Sequence, residues 1–349
     1  MSTKDLHNKF IISMNSINTS NANKSIIPEG DFLNTYREQY KTNTAYKNYS
    51  NSLPSTPLTH INDIPALPTD AFKYEPNPTS LTQEEIQTTF LTSGTTTETK
   101  GKHHFATTKT YEASILKGWE YCELPKLSNK HTFILTPSPK EAPHSSLSHM
   151  METLKQQHAP TAQYILNNGT ISSEAIQTII SLSEKSQPIT LLGTALAFLQ
   201  FFETLEKHQS TPLIFPEGSW ALETGGYKGT AKSLTKEELY QLFLHHLGIP
   251  ANQIWNEYSM TELSSQFYTQ GLGNPHTAPP WVHIKVINPE TNLPVKAGEM
   301  GYLVIYDLAN IDSAIGIRTQ DLAIYHTPQS FTLIGRDPSA LPRGCSRSL

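Results

Sequence analysis

The chain has 349 residues, of which 37% are hydrophobic and 16% charged, and its net charge is −5. That length allows a large core, as one big domain or two ordinary ones. The acidic balance argues against general affinity for nucleic acid, which needs excess Lys and Arg to neutralise phosphates, but leaves the binding of one nucleotide open.

Residues 1–30 are rich in Asn, Ser and Lys and read as a poorly ordered or loosely docked N-terminus. The apolar FIISM run is broken at once by NSINTSNANKS, so it is no signal peptide. Residues 31–80 read as a lead-in: Phe32, Leu33, Tyr36, Tyr40 and Tyr46 fall at helical spacing, then prolines impose an extended connection. TQEEIQTTF predicts a short helix before a loop.

Residues 81–349 carry the main pattern. HTFILT, AQYIL, PITLLG and PLIFPEG predict strands, and SEAIQTIISLSEK, ALAFLQFFETLEK and KEELYQLFLHHLG predict amphipathic helices. Such alternation implies an α/β fold with a mostly parallel sheet. From about residue 280 the helices stop, and WVHIKVI, GYLVIYDL, IGIRTQDLAIYH and FTLIG predict an antiparallel β subdomain. No apolar run is long enough to span a bilayer. The two cysteines, Cys122 and Cys345, suit a reducing compartment, and the 14 histidines lack metal-ligand spacing. The reading is cytoplasmic, without stable membrane insertion.

TSGTTTETKGK, residues 92–102, has the chemistry a triphosphate needs. Gly94 permits close backbone approach, Ser93, Thr95, Thr96 and Thr97 offer hydroxyls, backbone N–H groups can form an anion nest, and Lys100 and Lys102 add charge. The glycine spacing is not that of the Walker loop. The same residues also suit a polar surface loop. ETGGYK at 223–228 reads either as a glycine turn or as main chain lying flat against a base. NEYSMTE at 256–262 fits a strand end, and IRTQDLA at 317–323 fits a strand with a turn or edge Asp.

Taken in order, these four segments resemble the adenylate-forming superfamily, and most of all the LuxE-type acyl-protein synthetases. The resemblance covers residues 80–349 and extends to PSPKEAPHSSLSHM and LLGTALAFL. It implies the N-terminal domain fold of adenylate-forming enzymes without their C-terminal lid domain. It implies ATP and Mg²⁺, with phosphate contacts from Ser93, Gly94, Thr95, Thr96 and Lys100. Gly225, Gly226 and Tyr258 would meet adenine. Asp321 and Arg336 would meet the ribose, Thr261 the α-phosphate, and Glu262 the metal. Lys228 would reach a phosphate or the developing charge at the carboxyl group. Thr97, Thr99, Ser259 and Gln320 depart from the family pattern, which motivates a degenerate nucleotide-binding or scaffold protein as an alternative.

The implied reaction is activation of a carboxylic acid, a fatty acid by family, as an acyl-adenylate. The acyl group then passes to a thiol. Cys345 is placed like the family's acyl-carrying cysteine, with Arg343 and Arg347 to favour thiolate; it also fits an unreactive tail cysteine. Cys122 reads as core. His144, Ser145 and Ser146 follow a strand and are candidates to face the carboxylate, beside a purely structural role for His144. An acyl-accepting protein or reductase is the implied partner; a CoA or carrier ligase completed by a partner domain is the other enzymatic reading.

Overall fold

The computed structural model describes residues 3–17, 27–92, 99–127, 131–208, 211–225 and 234–337. At the N-terminus, expected to be poorly ordered or loosely docked, residues 3–15 form a helix packed against the body. Helix α1 (Thr3–Asn15) lays His7, Phe10, Ile11 and Met14 along one stripe against the body. Their spacing of three and four residues is helical, and the polar composition between them masks it. The buried His7 ring bonds Thr110 Oγ1 at 2.6 Å and Asp312 Oδ1 at 2.9 Å.

The helical spacing over the lead-in resolves into two helices, α2 (Glu29–Thr42) and α3 (Thr44–Ser52). Asn43 caps α3 by accepting from the Tyr46 N–H at 3.0 Å. Gln39 anchors α2, donating to Asn310 O at 2.7 Å and accepting from Ile315 N at 2.8 Å. The proline-rich stretch runs extended, apart from two single 3₁₀ turns and β1 (Leu67–Pro68).

TQEEIQTTF is not helical. It turns and enters β2 (Thr88–Leu91), which pairs antiparallel with β3 (Lys102–Phe105). β-Branched Thr88 and Thr89 before Phe90, which packs on Phe105, favour a strand. β2 and β3 are therefore the two arms of a hairpin, extended by a bond from Thr92 N to Gly101 O at 2.9 Å.

After α4 (Lys109–Tyr121) comes the α/β layer: β4 (His131–Leu135), α5 (Ser146–His158), β5 (Gln163–Tyr164), β6 (Leu166–Asn167), β7 (Thr170–Ile171), α6 (Ser173–Glu184), β8 (Ile189–Thr194), α7 (Ala195–His208), β9 (Trp220–Thr224), α8 (Lys236–Leu247) and β10 (Ile254–Tyr258). AQYIL splits between β5 and β6. PLIFPEG lies outside the sheet: Leu213 and Phe215 are buried, but their N–H groups bond His246 O and Leu247 O at the end of α8. Pro216 offers no N–H, and Gly218, at φ +83°, turns the chain into β9 instead. Thr235 and Glu238 form a capping box at the start of α8.

The expected antiparallel region is β11 (Phe267–Gln270), β12 (His276–Thr277), β13 (Val282–Ile287), β14 (Met300–Asp307), β15 (Gly316–Thr327) and β16 (Ser330–Arg336). It does not stand apart. β10 pairs with β11, and the order β13-β14-β15-β16-β12-β11-β10-β9-β8-β4-β5, with β1 beside β15, forms one twelve-stranded sheet. Along it β5, β4, β8, β9 and β10 are mutually parallel and the rest of the path is antiparallel; β6 and β7 pair antiparallel apart from it. Among the described residues no helix is long and apolar enough to cross a membrane.

Two glycines should respond oppositely to alanine. A Cβ on Gly301 would lie 2.1 Å from Ile287 O, so Gly301→Ala should destabilise the protein by about 1–3 kcal/mol. A Cβ on Gly118, within α4, meets nothing within 4 Å, so Gly118→Ala should stabilise it by roughly 0.5–1 kcal/mol. Denaturant titration of both variants checks the pair of signs.

Candidate active site

A cavity of about 310 Å³ opens where the parallel strands end. Leu135 closes β4, Thr194 closes β8, and Thr224 with Gly225 ends β9; Ser259, Met260 and Thr261 follow β10. Ligands of open α/β sheets bind at such carboxyl ends. The hairpin contributes Leu91, Thr92 and Lys100, and the start of α5 contributes residues 144–148.

Strand alternation sorts the polar residues beneath it. Thr194, Thr224, Glu257 and Tyr268 are register partners across β8, β9, β10 and β11, so they share a face. Gly193, Glu223, Asn256 and Thr269 form the neighbouring row on the opposite face. There Asn256 donates to Glu223 Oε1 at 2.7 Å, while its Oδ1 accepts from Lys236 at 3.0 Å and from His276 Nε2 at 2.7 Å. Burial pushes the Glu223 carboxyl up to about 7, partly offset by Lys236.

Tyr258 is the last residue of β10. Its hydroxyl donates to Asp321 Oδ2 at 2.8 Å, joining segments 63 residues apart. Its ring packs edge-on against Phe331, and Phe267 and His276 also flank it. Asp321 and Arg336 are register partners on β15 and β16. Arg336 Nη2 donates to Gln320 Oε1, and Gln320 Nε2 donates to Asp70 at 3.0 Å.

The loop carrying Thr261 and Glu262 is clamped by buried side chains. The His103 ring donates from Nδ1 to Thr261 O at 2.7 Å, since a carbonyl can only accept. Burial holds this imidazole down at about 4, so it is neutral at pH 7. Asn310 Nδ2 donates to Glu262 O at 2.9 Å. Asp307 accepts from Ser264 N at 3.0 Å, Ser265 Oγ at 2.8 Å and Ala309 N at 2.9 Å.

Of the two lysines after the Ser/Thr run, Lys100 borders the cavity, whereas Lys102 pairs with Glu75 at 3.0 Å. Gly225 adopts φ +73° at the cavity wall. His144, Ser145 and Ser146 border it too, His144 donating to Thr89 O at 3.0 Å and Ser145 capping α5. Cys122 is partly buried against the core just after α4. Ser93, Gly94, Thr95, Thr96, Gly226, Lys228 and Cys345 lie outside the described residues. The sequence reading missed Thr194 and Thr224, whose signal is a polar residue closing an apolar parallel strand. It also missed His103, Asp307 and Asn310, which carry no local signal.

The family model for LuxE acyl-protein synthetases matches residues 2–349. The chain belongs to that family. It is a ligase of the acyl-protein synthetase type. Among curated relatives, the long-chain-fatty-acid–luciferin-component ligase of Aliivibrio fischeri is 26% identical over 294 residues, covering 82% of this chain and 75% of that protein. The Vibrio harveyi protein of the same name is 20% identical over 324 residues, covering 90% and 85%. Among solved structures, 2-hydroxyisobutyryl-CoA ligase with 2-HIB-AMP and CoA in the thioesterification state superposes with TM-score 0.64 at 14% identity, over 90% of this chain and 69% of that one. Its open conformation gives 0.63 at 13%, over 90% and 75%. At these identities the likeness is one of fold, and the fold is that of the adenylate-forming ligases.

Burial raises the Asp307 carboxyl to about 6, the hydrogen bonds from Ser265, Ala309 and Ser264 offsetting only part of that cost. A folded value above the unfolded one means this residue's stabilising contribution is full below about pH 4 and declines as pH rises through about 6. Asp307→Asn should flatten that slope. By setting an amide N–H₂ against buried donors it should also destabilise the acyl-protein synthetase by roughly 1–3 kcal/mol, measured by denaturant titration from pH 4 to 8.

Proposed function

We propose that this chain joins a carboxylic acid to ATP as an acyl-adenylate and then transfers the acyl group to a cysteine thiol. The long-chain-fatty-acid names of its relatives make a fatty acid the first substrate to test. The observation that carries the reading is the Tyr258–Asp321 bond, which brings the adenine and ribose segments together at the end of the strand that leads into the cavity wall.

In this reading the substrate carboxylate attacks the α-phosphorus of ATP and pyrophosphate leaves. Lys100, with Ser93, Gly94, Thr95 and Thr96, holds the phosphates. Thr261 donates to the α-phosphate. Gly225, Gly226 and Tyr258 hold the base. Asp321, whose carboxylate has acceptor capacity beyond the Tyr258 bond, takes the ribose hydroxyls with Arg336 alongside. Lys228 supplies positive charge at the reacting centre, and His144, Ser145 and Ser146 face the acid. The thiolate of Cys345 then attacks the acyl carbon, AMP leaves, and a thioester forms for an acyl-accepting protein or reductase.

Magnesium fits Glu262. Among the described residues no group of three His, Cys, Asp or Glu could form a full protein cage, and Mg²⁺ in nucleotide sites takes one or two carboxylates and completes its shell with phosphate oxygens and water. Bound there, it would neutralise phosphate charge.

The test is ATP–pyrophosphate exchange with Mg²⁺ and a panel of carboxylic acids. Exchange should depend on one acid class and be abolished by Glu262→Ala. Tyr258→Phe, which deletes the bond to Asp321, should raise KM for ATP about tenfold, the worth of one hydrogen bond, with little change in kcat. Cys345→Ser should leave exchange intact and abolish the stable acyl-protein. Exchange followed by transfer to CoA alone would instead indicate a CoA ligase. ATP binding without exchange for any acid would refute catalysis.

A further inference from the structure

The cavity changes character along its length, which follows the strand order β10, β9, β8, β4, β5. From β10, β9 and β8 the sheet contributes the hydroxyls of Ser259, Thr261, Thr224 and Thr194. From β4 outward it contributes Leu135 and then Leu166. Leu166 belongs at the far end. β5 runs parallel to β4 with Tyr164 beside Ile134, Ile165 N bonds Ile134 O at 3.0 Å, and Leu166 is the next residue. Leu135 is the register partner of Gly193, on the face opposite Thr194, so this arm passes over the strand ends toward α7. Its end is closed. Leu166 is 2% exposed and packs in the core on the α7 side, opposite Ile171. The β6–β7 hairpin that carries it is tied down twice: Gln200 of α7 donates to Gly169 O at 2.6 Å, and Asn168 N donates to Glu141 Oε1 at 3.0 Å. The second bond joins the hairpin to the loop of Ala142, which also lines the cavity.

We propose that Leu166 ends an acyl arm sized for a medium-chain aliphatic acid of about eight carbons, and so sets the chain length that is activated. This deepens the adenylation reading and rests on it, since that reading puts the phosphates and the carboxylate at the hydroxyl end.

Two measures give the length. Neighbouring strands lie about 4.8 Å apart, so two spacings carry the arm about 10 Å across the sheet, from the Thr194 strand to the Leu166 strand. An extended carbon chain, with bonds of ~1.5 Å and angles near 111°, advances roughly 1.3 Å per bond, so about eight carbons fill that span. The volume agrees. A cavity of about 150 Å³ takes one benzene ring, so one of about 310 Å³ takes roughly twelve heavy atoms. An acid of about eight carbons, with its two oxygens, nearly fills it, and a chain of ~14 carbons exceeds both limits.

The experiment is ATP–pyrophosphate exchange by the full chain with straight-chain acids of increasing length. From about four carbons kcat/KM should climb about fourfold per methylene, the worth of burying one, peak at about eight carbons and then fall by ~14. Leu166→Ala opens the end wall, so its optimum should move about two to three carbons longer. Ala142→Leu fills the arm from the half-buried loop and should move the optimum shorter by about as much. A side chain with only a structural role would lower exchange with every acid alike and leave the optimum in place. If Leu166→Ala does not fold, Ala142→Leu decides alone. Wild-type exchange that keeps climbing to ~14 carbons, or an optimum that no folded variant moves, overturns the chain-length assignment and leaves adenylation standing. Calorimetric titration of the same acids without ATP covers the reverse case. Tightest binding at about eight carbons with no exchange overturns adenylation and keeps the arm. Neither binding nor exchange with any acid overturns both.

Discussion

The parallel register of β8, β9 and β10 is the constraint on which the rest depends. Because side chains alternate, pairing Thr194 with Thr224 and Thr224 with Glu257 assigns each polar residue to one face without further choice. A slip of one residue would exchange the Glu257 row for the Glu223 row. It would put Asn256 under the cavity and bury Trp220 and Leu222 against the wrong helices. The hydrophobic pattern forbids this: Trp220, Leu222 and Trp255 pack with α4 and α5 residues, while Ala221 and Ile254 pack with α7 and α8 residues. The cores on the two faces lock the register, and the register builds the site.

Burial of polar groups is the recurring device. His103, Asn310 and Asp307 reach the 261–265 loop from β3, the β14–β15 connection and β14, and each satisfies backbone or hydroxyl groups that a loop under the sheet would otherwise leave unpaired. The loop has no secondary structure to hold it. Its shape comes from acceptors and donors placed by regular strands, an arrangement that suits residues needing fixed geometry without a helix around them.

The sequence made the site segments legible because their chemistry is local. Gly225, Tyr258, Thr261 and Asp321 sit in short polar interruptions of apolar strands, and such interruptions stand out. Glu257 and Asp307 were not legible, since one buried carboxyl at a strand end looks like its solvated counterpart. What separates them is the opposing strand or loop, which sequence spacing does not show. PLIFPEG failed for a related reason. Apolar residues report burial, and Leu213 and Phe215 are buried, but ladder membership also needs free N–H groups and an open edge, which Pro216 and the end of α8 remove. In α1 composition left poor order and loose docking both open, and a stripe of four residues decided for docking.

That first helix has a consequence for how the chain is made. His7 finds Asp312 across 305 positions, the kind of contact whose closure is slow because so much chain must first be ordered. Helix α1 therefore cannot complete its seat until the β14–β15 connection, which carries Asp312, has been formed. Its docking marks the point at which α4 and the β14–β15 connection, carrying Thr110 and Asp312, stand side by side.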